Sequence, residues 1–225
     1  MNPAILVFAR VPEPGKVKTR LSPPLTASEA SRLYAAFVSD TAAKLKSVDA
    51  AVRWYVTPDV DGFKGTRLVE QEGGVSFHIQ VGESLGARMR SAVQATMDAG
   101  CDAIVVIGTD SPTLPVRVLE EALRHLKSPG SAVLGPASDG GYYLLGLHGV
   151  DPAFLEEMSY SRSDVFARTS DLLLAETGVS PVVLGEWYDV DVPADLERLT
   201  AELESGESVA AETRSALTNL GLVSA

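Results

Sequence analysis

Apolar residues follow two alternating rhythms along this chain. Unbroken runs (Ala4-Ile5-Leu6-Val7-Phe8, Ala51-Val52-Arg53-Trp54-Tyr55-Val56 with one interruption, Ile104-Val105-Val106-Ile107) read as strands buried on both faces, as in a parallel sheet. Between them, apolar positions fall at helical spacing. Thr26-Ala27-Ser28-Glu29 has capping-box spacing and opens a helix with Ala30, Leu33, Tyr34, Phe37, Val38, Thr41 and Leu45 on one face. Leu85, Met89, Ala92, Val93 and Thr96 mark a second helix ending near Gly100, and Val118, Leu119, Ala122, Leu123 and Leu126 a third. Ser76-Phe77-His78-Ile79-Gln80 is a shorter strand, and residues 61–74 read as polar loop with room for one short helix. Alternation of strand and helix as far as Pro136 predicts a three-layer α/β/α fold around a mostly parallel sheet.

The later chain is less regular. Ala132-Val133-Leu134-Gly135-Pro136 is a fifth strand, and Asp139-Gly140-Gly141 is a hairpin signal, so Tyr142–Leu145 should return antiparallel. Ser161-Arg162-Ser163-Asp164 caps a helix with Val165, Phe166, Thr169, Leu172 and Leu173 on one face, and Pro181–Leu184 is a late strand. The Glu- and Ala-rich remainder gives one or two surface helices without assigned chemistry. With no repeat or linker, the expectation is one domain over 1–225, with 204–225 peripheral.

Composition narrows the function classes. Hydrophobic residues are 45% and charged residues 22%, an ordinary globular mix, and no apolar run reaches the ~20 residues that span a bilayer. The start lacks a cationic segment before its apolar stretch, and the one cysteine, Cys101, fits a reducing compartment, so a cytoplasmic location is expected. His78, His125 and His148 are scattered and read as structural. A net charge of −11 argues against general affinity for nucleic acid or anionic lipid. Against that background Arg10, Lys16, Lys18 and Arg20 stand out. Pro12, Pro14 and Gly15 shape them into a loop between the first strand and first helix, a natural phosphate site, or more simply a solvated surface loop.

Two acidic positions complement the cations. Asp110 follows the run Ile104–Ile107, where open α/β sheets place ligands, although a turn or helix-cap role would also explain it. Asp189 and Asp191 precede Pro193, which opens a helix. Two separated carboxylates can share a Mg²⁺ or Mn²⁺ ion with phosphate oxygens. Gln80 and Gly82, between a strand and a helix, are placed to meet a base or ribose. Neither a Walker loop nor Gly-x-Gly-x-x-Gly is present.

The segments FARVPEPGKVKTRL, VGESLGARM, IGTDSPTLP, GPASDGGYYLLGL and YDVDVPADL resemble, in order, the motifs of a bacterial glycosyltransferase-like family with the GT-A (nucleotide-diphospho-sugar transferase) fold. That family is similar in turn to nucleotidyltransferases of the 2-phospholactate guanylyltransferase type, whose Lys-x-Arg-Leu segment matches Lys18-Thr19-Arg20-Leu21. The resemblance implies a Rossmann-like sheet and a metal held by Asp110 and Asp191, with Asp189 the weaker candidate. Pro112 stands where an Asp-x-Asp motif has its second acid, which points to Asp191 instead. It further implies phosphate or nucleotide contacts from Arg10, Lys16, Lys18, Arg20, Gln80, Gly82 and Arg88. The sugar or acceptor side would be Asp139, Gly140, Gly141 and Tyr142, with Asp110, Asp139 and Lys18 as the catalytic set. The expected activity is a metal-dependent transfer from a nucleotide donor to a small-molecule acceptor: a sugar from a nucleotide-diphospho-sugar first, nucleotidyl transfer with pyrophosphate release as the alternative, a non-catalytic nucleotide-sugar-binding module third.

Overall fold

Parallel pairing is the first consequence of the unbroken apolar runs. In the computed structural model, which describes residues 1–70, 74–160, 162–206 and 209–224, β1 (Pro3–Arg10) pairs in parallel with β2 (Ala51–Thr57), and β2 with β3 (Val75–Ile79). The chain then returns to the other side of β1 as β4 (Ala103–Ile107), all five of whose residues are buried. β5 (Ser131–Pro136) and β6 (Tyr142–His148) form the expected antiparallel hairpin, and β6 inserts antiparallel beside β4. A two-residue β7 (Val182–Val183) completes the order β3-β2-β1-β4-β6-β5-β7. The late strand is shorter than Pro181–Leu184 because it pairs only with Val133 and Leu134 at the sheet edge, where both its residues are exposed.

Helices cover both faces. Along β1, Ile5 and Val7 join one core while Ala4 and Leu6 join the other, the period-two alternation of a strand buried on both sides. The first core takes α1 (Ala27–Leu45), α4 (Val116–His125) and α6 (Pro193–Ser205); the second takes α3 (Leu85–Asp98) and α5 (Val165–Thr177). A short α2 (Val60–Gly65) fills part of the polar 61–74 stretch, buries Phe63 and is capped by Asp59. The capping box of α1 forms as expected, Thr26 and Glu29 each satisfying the other's backbone N–H. At α5 the cap differs: Asp164 stands at the N-cap position, but its carboxylate grips Arg162 at 2.8 and 3.0 Å, and Ser161 lies outside the described residues. Among the described residues, no helix is long and apolar enough to cross a membrane.

The sheet order sets the site. The chain runs outward from β1 to β3, then reverses to β4, so the carboxyl ends of β1 and β4 flank a topological switch point, where ligands bind in open α/β sheets.

The C-terminal helix α7 (Ala211–Asn219) is tied in by one buried acid. Asp40 on α1 accepts backbone N–H groups of Glu212 and Thr213 at 3.0 and 2.8 Å, closing the open end of α7. One turn along α1, Lys44 donates to the Pro112 carbonyl at 3.2 Å. Burial draws its ammonium down to about 8, against the pull of Asp40. Replacing Asp40 with Ala strands two N–H groups, so Asp40→Ala should lose about 1–3 kcal/mol in urea unfolding. An unchanged midpoint would show that α7 docks through its apolar contacts alone.

Candidate active site

A cleft of about 690 Å³ opens at the switch point. Its floor is the carboxyl ends of β1 and β4, from Phe8 to Arg10 and Val106 to Asp110. Lys16, Lys18, Gln80, Glu83, Arg88, Asp139, Tyr142, Tyr160, Arg162, Asp189 and Asp191 also line it.

The first loop delivers Lys18 to the centre. Val17 and Leu21 are anchored in the core, and a short 3-10 turn at Thr19–Leu21 carries the chain between them. Lys18 enters that turn with left-handed backbone (φ 46°, ψ 38°), a conformation that disfavours a side chain and is held here by its surroundings. Its ammonium lies 2.5 Å from Asp110 Oδ1 and 2.8 Å from Asp191 Oδ1, with the side chain only 4% exposed, and 5.8 Å from the centre of the Phe37 ring. Burial works against the charged form, but the two carboxylates outweigh it and hold the Lys18 pKa above the usual lysine range.

The acids are placed by the backbone. Asp110 follows β4 through Gly108 and Thr109, and its carbonyl accepts the N–H of Val190 at 2.9 Å, lacing the two acid-bearing segments together. Ser111 donates to Asp189 at 2.6 Å, and Thr113 and Tyr188 both donate to Glu202 on α6. Asp195, in the first turn of α6, accepts the N–H groups of Asp191 and Val192, each at 2.9 Å. Asp189 sits deeper than Asp191; burial first, then the Asp110 charge, pushes its carboxyl well above the usual range, while Ser111 and Lys18 pull the other way. That favours Asp191, the more hydrated acid, as the partner of Asp110.

Among the described residues, no three His, Cys, Asp or Glu side chains gather as a metal cage. Asp110 and Asp191 nevertheless converge on one cation, the Lys18 ammonium. Two hard oxygens about one point fit Mg²⁺ or Mn²⁺ completed by phosphate oxygens and water, as Mg²⁺ commonly is.

The other expected residues divide. Arg10, Lys16, Arg88, Asp139, Gly141 and Tyr142 line the cleft. Arg20 does not: with Leu21 buried and Lys18 turned inward, the tight turn leaves Arg20 exposed outside the cleft lining. Gln80 lines the cleft, but its amide nitrogen is committed to the Ala9 and Tyr55 carbonyls, at 3.1 and 2.9 Å, across three strand ends. Gly82 is exposed and does not line the cleft; Arg88 Nε donates to its carbonyl at 2.9 Å, so both brace the β3–α3 turn. Asp139 accepts the Gly141 N–H at 2.9 Å and so closes the hairpin it begins. Gly140 does not line the cleft either; it has φ +90°, and a Cβ there would come within 2.0 Å of the Ser163 carbonyl oxygen.

Six polar lining residues escape the sequence reading of the site: Tyr34, Glu83, Thr109, Tyr143, Tyr160 and Arg162. Tyr34 reads only as part of the core-facing stripe of α1. In place, its hydroxyl accepts the Arg10 N–H and the Thr109 hydroxyl, both at 2.9 Å, joining the ends of β1 and β4. Burial, reinforced by Asp110, pushes its pKa up to about 12. A tyrosine on a buried helix stripe demands a polar partner, and that was the available signal.

Fold and site together define an α/β transferase with the nucleotide-diphospho-sugar transferase fold. The chain belongs to the bacterial family described as "Uncharacterized protein conserved in bacteria (DUF2064)", whose model matches residues 38–162. It is similar to the phosphoenolpyruvate guanylyltransferase of Sphaerobacter thermophilus, 25% identical over 197 residues that cover 85% of this chain and 90% of that protein. A Desulfovibrio desulfuricans G20 protein described as a nucleotide-diphospho-sugar transferase matches at 31% identity and TM-score 0.85, covering 98% of this chain and 97% of that one. A cytidylyltransferase of Leptospira borgpetersenii serovar Hardjo-bovis shares the fold at TM-score 0.58 with 14% identity, covering 99% and 97%.

Gly140 joins the cleft wall to α5, since Phe166 donates to its carbonyl at 2.9 Å. Gly140→Ala should therefore lose about 2 kcal/mol or more in urea unfolding, from positive φ and the clash together. A midpoint equal to wild type would show that the hairpin and α5 can separate freely.

Proposed function

We propose that this chain is a nucleotidyltransferase that joins a nucleoside monophosphate, from a triphosphate such as GTP, to a small phosphorylated acid and releases pyrophosphate. The observation that carries this reading is the meeting of Lys18 with Asp110 and Asp191 in a cleft also lined by Arg10, Lys16 and Arg88. Acids brought from two distant segments, with Pro112 in place of a second local acid, support this over the sugar transfer that the sequence put first. Similarity to a guanylyltransferase supports it further.

In this reading an oxygen of the acceptor phosphate attacks the α-phosphorus in line. The bond from that phosphorus to the bridging oxygen breaks, and the electron pair leaves with pyrophosphate. Lys18, Arg10 and Lys16 hold the phosphates and offset charge gathering on them, positioning and charge stabilisation together lowering the barrier. Asp110 and Asp191 would hold a Mg²⁺ or Mn²⁺ ion, which when bound supplies Lewis-acid stabilisation of the phosphate oxygens. Arg162, which lines the cleft and is ion-paired with Asp164 at 2.8 Å, adds a cation there for an anionic acceptor.

A second reading, transfer of a sugar from a nucleotide-diphospho-sugar, is favoured by the description of the Desulfovibrio neighbour. Thermal unfolding with Mg²⁺ separates the two. GTP at a hundred times its Kd should raise Tm by about 5–10 °C, and GDP-sugars should do less. Pyrophosphate should then appear on adding phosphorylated acids such as phosphoenolpyruvate, and Asp110→Asn should slow its release about 100-fold or more while still folding. Stabilisation by a GDP-sugar with no pyrophosphate from GTP would instead establish sugar transfer.

A further inference from the structure

The Lys18 ammonium occupies the point on which the Asp110 and Asp191 oxygens converge, 2.5 and 2.8 Å away. A Mg²⁺ ion on the same two oxygens would need them within about 2.0–2.1 Å. Two cations cannot share that point, so a metal on these two Oδ1 oxygens requires the ammonium to withdraw. In the free protein little encourages it to do so. The side chain is 4% exposed, runs beside the Phe37 ring and meets two carboxylates that are themselves 40% and 43% exposed. Its left-handed backbone fixes where the side chain starts, between buried Val17 and Leu21. A triphosphate changes the balance, because its oxygens offer Lys18 a second set of anions in the same cleft.

We propose that Lys18 is a tethered cation that keeps the Asp110–Asp191 pair closed to divalent metal until nucleotide phosphates draw it away, so that metal and nucleotide enter as a coupled pair. This rests on the nucleotide-transfer reading. Free metal binds poorly, nucleotide raises metal affinity, and by linkage metal raises nucleotide affinity by the same factor. The arrangement keeps the two acids from collecting divalent ions when no donor is present. Lys18 thereby has a role in the free protein as well as in the reaction.

Manganese alone, with no nucleotide present, tests this by electron paramagnetic resonance titration of the full-length protein. Wild type should bind Mn²⁺ weakly, Lys18→Met at least 10-fold more tightly, and Lys18→Arg, which keeps the cation, as weakly as wild type. Adding Asp191→Asn to Lys18→Met should abolish the gain. If Lys18→Met does not fold, Lys18→Gln, neutral but still a hydrogen-bond donor, carries the same expectation. Wild type binding Mn²⁺ as tightly as the neutral variants would overturn the proposal while leaving the metal site in place. No Mn²⁺ bound by the neutral variants would overturn both the proposal and the metal assignment, whereas pyrophosphate release from GTP tests the transfer reading independently.

Discussion

One lysine, brought against two carboxylates from distant parts of the chain, is the constraint on which the site depends. Asp110 comes from the end of a central strand, Asp191 from the entry to α6, and Lys18 from the loop after β1. Each is held by a separate device: a backbone hydrogen bond between Val190 and Asp110, the Asp195 carboxylate under Asp191, and the core anchors on either side of Lys18. Such a cluster contributes little net stability, since taking the Lys18 ammonium out of water costs about as much as its attraction to the two acids returns. Its presence at the switch point of the sheet therefore speaks for chemistry rather than for folding.

The polar groups around the cluster fall into two sets. Some build the wall: Gln80 bridges strand ends, Tyr34 joins β1 to β4, Asp139 closes its own hairpin and Arg88 holds the Gly82 carbonyl. Arg10, Lys16, Lys18 and Arg162 bring cations to the same cleft. Most of the wall comes from helix starts and strand ends fixed by the sheet, so the geometry is pre-organised before a ligand arrives.

What could be read from the sequence was what is locally encoded. β4, the capping box of α1 and the hairpin through Asp139-Gly140-Gly141 are each specified within a few residues, and all three form as expected. The acids and the cationic loop were visible for the same reason, because they sit at the ends of strongly patterned strands. Orientation inside a tight turn was not: nothing in Lys18-Thr19-Arg20-Leu21 says that Lys18 points inward and Arg20 outward until Leu21 is known to be buried. Long-range pairing was equally hidden. Asp40 caps a helix that begins 171 residues later in the chain, at Ala211, and its neighbour Lys44 reaches the loop that carries Asp110. The C-terminal helix is thus tied to the site's scaffold, which its polar, alanine-rich sequence gave no reason to expect.

The most direct measurement is nitrogen NMR of the lysine ammonium groups. In the free protein one ammonium should be protected from solvent exchange, and its resonance should vanish in Lys18→Arg. Saturating GTP with Mg²⁺ should shift or broaden that resonance as the ammonium leaves the carboxylates for phosphate. A resonance unchanged while nucleotide demonstrably binds would put the nucleotide elsewhere and contradict the central role of Lys18.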